Sequence, residues 1–154
     1  MMNRGLVFVI IVLVSELVLT LSAAIQDRFP EGPGKAELLK VCSGCHEAAN
    51  VFAYPKTAGE WSGTLANMAQ LGAEATQPEW RLIEQYLDAQ LALIRINEAA
   101  AEELQRTLDV AETVAQATVK YRQERGTFKS TDDVKKVPGL EAAKVDARKD
   151  RFIF

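Results

Sequence analysis

The chain has 154 residues, of which 48% are hydrophobic and 25% are charged, a balance that excludes disordered and fibrous chains. The formal net charge of -3 excludes a general electrostatic attraction to nucleic acid. The sequence holds one histidine, His46, and two cysteines, Cys42 and Cys45, which excludes a scaffold held by several disulfides.

The N-terminus predicts an exported protein. Arg4 precedes an unbroken apolar run over residues 6–14, and the small residues 22–24 suit a cleavage site. We therefore expect residues 1–24 to be a signal peptide, with an uncleaved membrane anchor as the alternative. In either case the rest of the chain is expected outside the cytoplasm, in the periplasm, and it meets the membrane only if the segment stays attached.

The remaining sequence predicts an all-α fold. Residues 25–34 are rich in Pro and Gly and predict a linker. Two capping boxes, Thr57 with Glu60 and Thr76 with Glu79, mark the starts of two helices. No stretch alternates with period two for long enough to predict a sheet. The predicted helices of this half are 36–48, 57–71 and 76–91.

The segment Cys42-Ser43-Gly44-Cys45-His46 has the C-x-x-C-H pattern of covalent haem attachment. Two thiols at this spacing can bond to one edge of the macrocycle, and the following imidazole can reach the iron. A zinc site would need further Cys or His ligands, and a redox thiol pair would follow a strand. We therefore predict one haem c, bound covalently by Cys42 and Cys45, with His46 as an axial iron ligand. The Pro55 carbonyl is a candidate acceptor for the other ring nitrogen of His46.

A sixth iron ligand is predicted at Met68. It is the only methionine beyond the two at the start of the chain, and it lies on the helix that Thr57 caps. The alternative is a methionine that fills a gap in the core. Tyr54, Lys56 and Trp61 are candidate hydrogen-bond donors to the haem propionates, with solvated or core side chains as the alternative.

Residues 34–93 resemble short class I cytochromes c. Gly34 and Leu38 lie before Cys42, at the positions where that family has the residues that cross its last helix. Tyr86-Leu87 matches the aromatic–aliphatic pair on that last helix. The resemblance implies a cytochrome c domain over 35–94 that carries one electron and meets a redox partner, such as a dehydrogenase or an oxidase complex. No catalytic constellation is present, so we do not expect an enzyme. A haem-based sensor is the alternative if Met68 does not bind iron.

Residues 95–154 resemble helix-hairpin-helix domains of the competence-receptor type. The segment 96–104 matches their opening, and 126–130 with 137–140 matches their second repeat. The small haem domain is thus expected to be followed by a helix-hairpin-helix domain. The predicted helices of this half are 102–106, 110–125, 131–136 and 141–150.

The hairpin sequences depart from those of the DNA-binding members, in which glycine-rich turns hold phosphates. Asp109 and Glu112 stand in the first hairpin, and Glu141 replaces the second glycine of the other. From Ile96 onward the 11 basic residues balance the 11 acidic ones. We therefore expect this domain to dock a protein and nucleic acid to be an unlikely partner, with a DNA-uptake receptor carrying an accessory haem as the alternative. We also expect the haem to be independent of this domain.

Overall fold

The computed structural model describes residues 28–154, so the predicted signal peptide and residues 25–27 of the predicted linker lie outside the described residues. Gly32–Phe154 form one compact unit, which is mostly helical. Within the described residues, no helix has both the length and the apolar character needed to cross a membrane.

Between residues 28 and 93, the structure contains four helices. The fourth continues into a π-helical turn at Leu87–Leu91. Their bounds are α1 Lys35–Cys42, α2 Asn50–Ala53, α3 Ala58–Gln70 and α4 Gln77–Tyr86.

The second half has two short strands and four further helices. The predicted last helix is shorter than expected and is followed by a 3-10 turn at Lys149–Arg151. The bounds are β1 Ile94–Arg95, α5 Ala101–Leu108, α6 Glu112–Arg125, α7 Thr131–Val134, α8 Ala142–Asp146 and β2 Phe152–Ile153.

Both predicted capping boxes are present. The Glu60 carboxylate accepts hydrogen bonds from the backbone N–H of Thr57 at 2.7 Å and from its hydroxyl at 2.9 Å. Glu79 accepts the corresponding two bonds from Thr76, each at 2.7 Å. Because these bonds satisfy groups that a helix leaves without partners at its N-terminus, they fix where α3 and α4 begin.

Helices α1 and α4 meet at Gly34. A side chain there would place its Cβ 2.2 Å from the Leu82 carbonyl oxygen and 2.8 Å from Tyr86 Cβ. Gly34 also has a φ of 94°, a conformation that residues with a side chain rarely adopt. Leu38, one turn further along α1, is fully buried. The sequence therefore needs glycine at this point for the two helices to pack closely.

The second half has its own apolar core and a strand pair that the sequence did not predict. β1 and β2 are parallel, with Ile94 opposite Phe152 and Arg95 opposite Ile153. Two residues are too short a segment to show the alternation by which a strand is recognised in sequence. The buried core residues include Ile94, Ile96, Leu104, Leu108, Ala115, Phe128, Val134, Val137 and Val145.

The domain boundary predicted near residue 94 falls at β1, inside the compact unit. The backbone N–H of Leu93 donates to the Lys56 carbonyl at 2.8 Å, and Leu93 also forms a parallel bridge with Thr57. Across the boundary, Arg106 Nε donates to the buried Asp88 carboxylate at 2.8 Å. The two predicted domains therefore share backbone and side-chain contacts.

Candidate haem-binding cleft

The four predicted haem ligands and attachment residues line one cleft: Cys42, Cys45, His46 and Met68. Its volume is about 290 Å³, close to the lower end of the ~300–1,000 Å³ found for ligand pockets. The rest of the lining is apolar and consists of Val41, Leu65, Leu71, Ala73 and Trp80. The cleft thus brings two thiols, an imidazole and a thioether together on mainly hydrophobic walls.

The motif begins in the last turn of α1, which ends six residues earlier than the predicted helix. The N–H of Ser43 still donates to the Leu39 carbonyl at 3.1 Å, and the N–H of His46 donates to the Cys42 carbonyl at 3.4 Å. Ser43 and Gly44 are poor helix formers, which accounts for the early end. These turns place both cysteines and the histidine at one edge of the cleft.

Both cysteines are free thiols that differ in their surroundings. Cys42 is half-buried, and burial raises the pKa of its thiol above the usual value. Cys45 is exposed. Because of this exposure, Cys45 is the more accessible of the two thiols for bond formation.

His46 is exposed at the mouth of the cleft, and its Nδ1 lies 3.1 Å from the Glu47 carbonyl oxygen. An Nδ1–H donated to that oxygen leaves Nε2 as the free, metal-binding nitrogen. The Pro55 carbonyl was the predicted acceptor, and the Glu47 carbonyl lies within hydrogen-bond distance instead. The adjacent carbonyl is within reach without any rearrangement of the chain.

Helix α3 supplies another part of the cleft wall. Leu65 and Met68 both line the cleft, and Trp61 lies on the same helical face, four residues before Leu65. Met68 is half-buried, as expected for a side chain at the wall of an open cleft. The Thr57 cap therefore sets the start of the helix that carries the methionine.

The three candidate propionate donors do not line the cleft. Tyr54 is 69% exposed, and Lys56 Nζ lies 5.9 Å from the centre of the Trp61 ring. Trp61 is buried, and its Nε1 is a buried donor with no hydrogen-bond partner within residues 28–154. The role of these three residues as haem contacts stays a prediction. The indole N–H of Trp61 is relevant to it because a buried donor normally has an acceptor.

Trp80 of α4 also lines the cleft, and it was not predicted as a lining residue. Its neighbour Glu79 is held by Lys40 of α1, with 2.7 Å between ammonium and carboxylate. The Lys40 ammonium, together with the Thr76 bonds, lowers the pKa of Glu79 to about 2. The pair ties the motif-bearing helix to the helix that carries Trp80. An aromatic residue directly after a capping box was the one sequence signal for it.

The second half presents two hairpin turns with similar backbone geometry. Asp109 follows α5 with a φ of 53°, and Gly139 follows α7 with a φ of 81°. Among the described residues, Asp109 is the only one other than glycine with a positive φ. Glu112 opens α6 directly after the first turn. Carboxylates thus occupy the tip where a phosphate would approach a helix N-terminus.

Most cations of this half contact other groups of the protein. Lys144 Nζ lies 3.2 Å from the Asp109 carboxylate and also contacts its carbonyl oxygen. Arg148 Nε donates to the Thr107 carbonyl at 2.8 Å. Six others contact carboxylates or backbone carbonyls: Arg106, Lys120, Arg122, Lys135, Lys136 and Arg151. The structure therefore leaves few cations here to face a polyanion.

Residues 90–153 match the family model described as the helix-hairpin-helix motif. This confirms the helix-hairpin-helix part of the sequence prediction, and the match does not reach the C-x-x-C-H segment. The chain carries a helix-hairpin-helix domain in a mostly helical structure.

Two curated relatives show the same kind of partial similarity. A 49-residue segment is 43% identical to ComE operon protein 1 of Bacillus subtilis and covers 32% of this chain and 24% of that protein. A 62-residue segment is 34% identical to an uncharacterized protein of Haemophilus influenzae and covers 40% of this chain and 55% of that protein. The matches thus span about a quarter and about half of these relatives. No solved structure matches the chain.

Proposed function

We propose that this chain is a c-type cytochrome that carries one covalent haem and transfers single electrons. The observation that supports the proposal is the convergence of Cys42, Cys45, His46 and Met68 on one apolar cleft. When bound, haem c supplies a one-electron couple at its iron. These four residues are the complete set that attachment and two axial bonds require.

Each residue would have a separate task. Cys42 and Cys45 would hold the cofactor covalently, and the free Nε2 of His46 would bind the iron. The Met68 thioether would bind from the α3 wall, and a His/Met pair raises the reduction potential compared with histidine alone. With His46 and Met68 both bound to the iron, the site would favour electron transfer over chemistry on a bound substrate.

The surroundings of the cleft fit this cofactor. Leu65, Leu71 and Trp80 would exclude water from the macrocycle. The buried Trp61 N–H has no acceptor within the described residues, and a propionate carboxylate is an acceptor that would satisfy it. Lys56, whose ammonium lies near the Trp61 ring, would add a positive charge for the same group.

The proposal places the protein outside the cytoplasm. It rests there on the predicted signal peptide at residues 1–24. The electron partner would be another redox protein, either a dehydrogenase or an oxidase complex, and the helix-hairpin-helix domain would dock it.

The test is to produce the full chain in a host that matures c-type cytochromes. We expect the purified protein to carry one haem by mass spectrometry and to retain it after denaturing acid extraction, because thioether bonds survive that treatment. The control is Cys42→Ser combined with Cys45→Ser, which should lose the haem on extraction. A haem-free wild-type chain from this host would refute the proposal.

Met68 is tested with a matched variant in the same cleft. Met68→Ala should abolish the weak near-infrared band of the sulfur–iron bond, lower the potential and admit carbon monoxide. Leu65→Ala removes an apolar side chain from the same helical wall and should keep the band. If the two variants behave alike, Met68 is not the ligand, and a haem sensor with an open iron position becomes the better description.

DNA binding in a competence-type uptake system is the second candidate function. The comparisons favour it over electron transfer, since the family match covers residues 90–153 and a relative is named for the ComE operon. In helix-hairpin-helix domains that bind DNA, the hairpin turns hold phosphates. Against this, Asp109 and Glu112 lie at the first turn, and Lys144 and Arg148 contact backbone carbonyls of that turn and of α5.

The two candidates are separated by a salt series with duplex DNA and the full chain. A phosphate-binding protein loses affinity steeply as salt rises, because each neutralised phosphate releases counterions. We expect only weak binding even at low salt, where electrostatic attraction is strongest. Submicromolar, salt-sensitive binding would make the DNA-uptake function the leading one, with the haem as an accessory.

A further inference from the structure

Arg151, a residue of the second half, contacts the C-terminal end of α4 in the first half. Its Nε donates to the Ala92 carbonyl at 2.7 Å, Nη1 to the Ala89 carbonyl at 2.6 Å and Nη2 to the Asp88 carbonyl at 2.7 Å. The carbonyls of the last helical turn have no donor within the helix, so an arginine fork is well suited to bind several of them. One side chain of the second half thus caps the end of α4 and its π-helical turn.

This guanidinium is largely withdrawn from water. Burial lowers the pKa of Arg151 to about 10, and the group still stays protonated at neutral pH. Asp88 lies beside it, 2% exposed, with Oδ2 bonded to Arg106 and Oδ1 lacking a partner among the described residues. Arg151 and Arg106 therefore bind the same helix end, one through its backbone and the other through the Asp88 carboxylate.

The segment that Arg151 holds leads directly to one wall of the cleft. Leu93 follows the bonded Ala92, and its N–H donates to the Lys56 carbonyl at 2.8 Å. Leu93 also bridges Thr57, the cap of α3, and α3 carries Met68 about 16 Å further along its axis. The start of the methionine helix is thus bonded to Leu93, the residue directly after the Ala92 carbonyl that Arg151 binds.

Residues 88–93 also lie at the C-terminal end of α4, the helix that carries Trp80. Helix α4 carries Trp80 in its first turn and Asp88 in the π-helical turn that continues it. Both Trp80 and Met68 line the cleft. The helices that carry Met68 and Trp80 are therefore each connected, at the end away from the cleft, to residues 88–93, which include the three carbonyls that Arg151 binds.

We propose that Arg151 is a positioning residue for the haem iron, which makes the helix-hairpin-helix domain part of the unit that holds Met68 in place. The inference rests on the proposed haem function and goes beyond it. It also reverses the expectation that the haem is independent of residues 95–154. A partner that moves the second domain would thereby alter ligation at the iron.

The test uses the full-length, haem-bearing protein with Arg151→Ala, and Lys149→Ala as a matched control. Lys149 is an exposed cation in the same 3-10 turn. We expect Arg151→Ala to retain covalent haem but to lose part of the sulfur–iron band and to bind carbon monoxide about tenfold faster, as expected when a charge-assisted hydrogen bond no longer resists opening. Lys149→Ala should match the wild type.

Arg151→Lys keeps the charge but cannot span three carbonyls, so it should fall between the wild type and Arg151→Ala. This variant also carries the test if Arg151→Ala does not fold. Wild-type band intensity and carbon monoxide binding in the arginine variants would overturn the inference, even if their melting temperature falls. A wild-type chain without covalent haem would instead refute the proposed function, and the inference with it.

Discussion

The two hairpin turns of the second half have similar backbones and different chemistry. The first turn places Asp109 at a φ of 53°, whereas the second places Gly139 at 81°. Asp109 bears a carboxylate that Lys144 of α8 contacts, and Gly139 has no side chain at all. A residue with a positive φ is thus present in both turns, although in the first turn that residue bears a carboxylate and in the second it does not.

Packing and ligand binding therefore place separate demands on the turn. The left-handed residue lets the chain reverse so that the helices on either side can pack their apolar faces together. Phosphate binding needs the turn and also an uncharged, open tip. A chain can therefore keep the helix-hairpin-helix fold while the first tip loses the chemistry of phosphate binding.

The largest expected effect comes from Gly139→Ala. A side chain at this φ is strained, and its Cβ would lie 3.4 Å from Val114 Cγ2, so we expect a loss of roughly 1–2 kcal/mol in the free energy of unfolding by denaturant titration. Gly59→Ala in α3 is the control, because open space surrounds that position and alanine favours a helix. Equal stability of Gly139→Ala and wild type would show that the second turn does not need glycine.

A smaller effect is expected when the first tip is made to resemble the second. Asp109→Gly with Glu112→Gln removes two negative charges and should strengthen duplex DNA binding by about tenfold at low salt. Glu98→Gln with Glu124→Gln makes the same charge change away from the tips. If both pairs change the affinity equally, net charge and not the hairpin decides the binding.

The helices that lead into the two turns also differ in their caps. Ser130 accepts a hydrogen bond from the Asp133 N–H at 3.2 Å at the start of α7, whereas Ala100 before α5 offers no side-chain cap. Ser130→Ala should cost about 1 kcal/mol in thermal or denaturant unfolding, and Ala100→Ser should recover a similar amount. We therefore expect Ser130→Ala to lower the free energy of unfolding and Ala100→Ser to raise it. A change in the same direction for both variants would contradict the prediction.

The smallest effect is a pH dependence confined to the second repeat. The Lys136 ammonium and the Lys129 N–H hold the pKa of Asp133 below its usual value of 3.8. A carboxyl with a lowered pKa in the folded state stabilises the fold above pH 3.8, and this contribution is lost as the pH falls below that value. Asp133→Asn should therefore reduce the decrease in melting temperature between about pH 5 and pH 2, and calorimetry at several pH values measures this decrease. Asp132→Asn, one residue earlier, is the matched comparison.

Local chemistry made the helix starts predictable, and the C-x-x-C-H segment is also recognised from neighbouring residues alone. The bonds of Thr57 to Glu60 and of Thr76 to Glu79 join residues three positions apart, and the motif residues are adjacent in sequence. Trp80 was not predicted as a lining residue. Its contact with the cleft depends on how α4 crosses α1, and that crossing is set by packing at Gly34.

The C-x-x-C-H pattern, Met68 as a candidate ligand and the helix-hairpin-helix repeats were all recognisable from the sequence, because each depends on residue type and short spacing. Only the tertiary structure decided the strand pair of Ile94 with Phe152, the position of Trp80 and the capping of α4 by Arg151. Arg151 binds carbonyls 59 to 63 residues earlier in the chain. Backbone carbonyls are alike at every residue, so the acceptors of that arginine cannot be read from a sequence and depend on the packing of the whole unit.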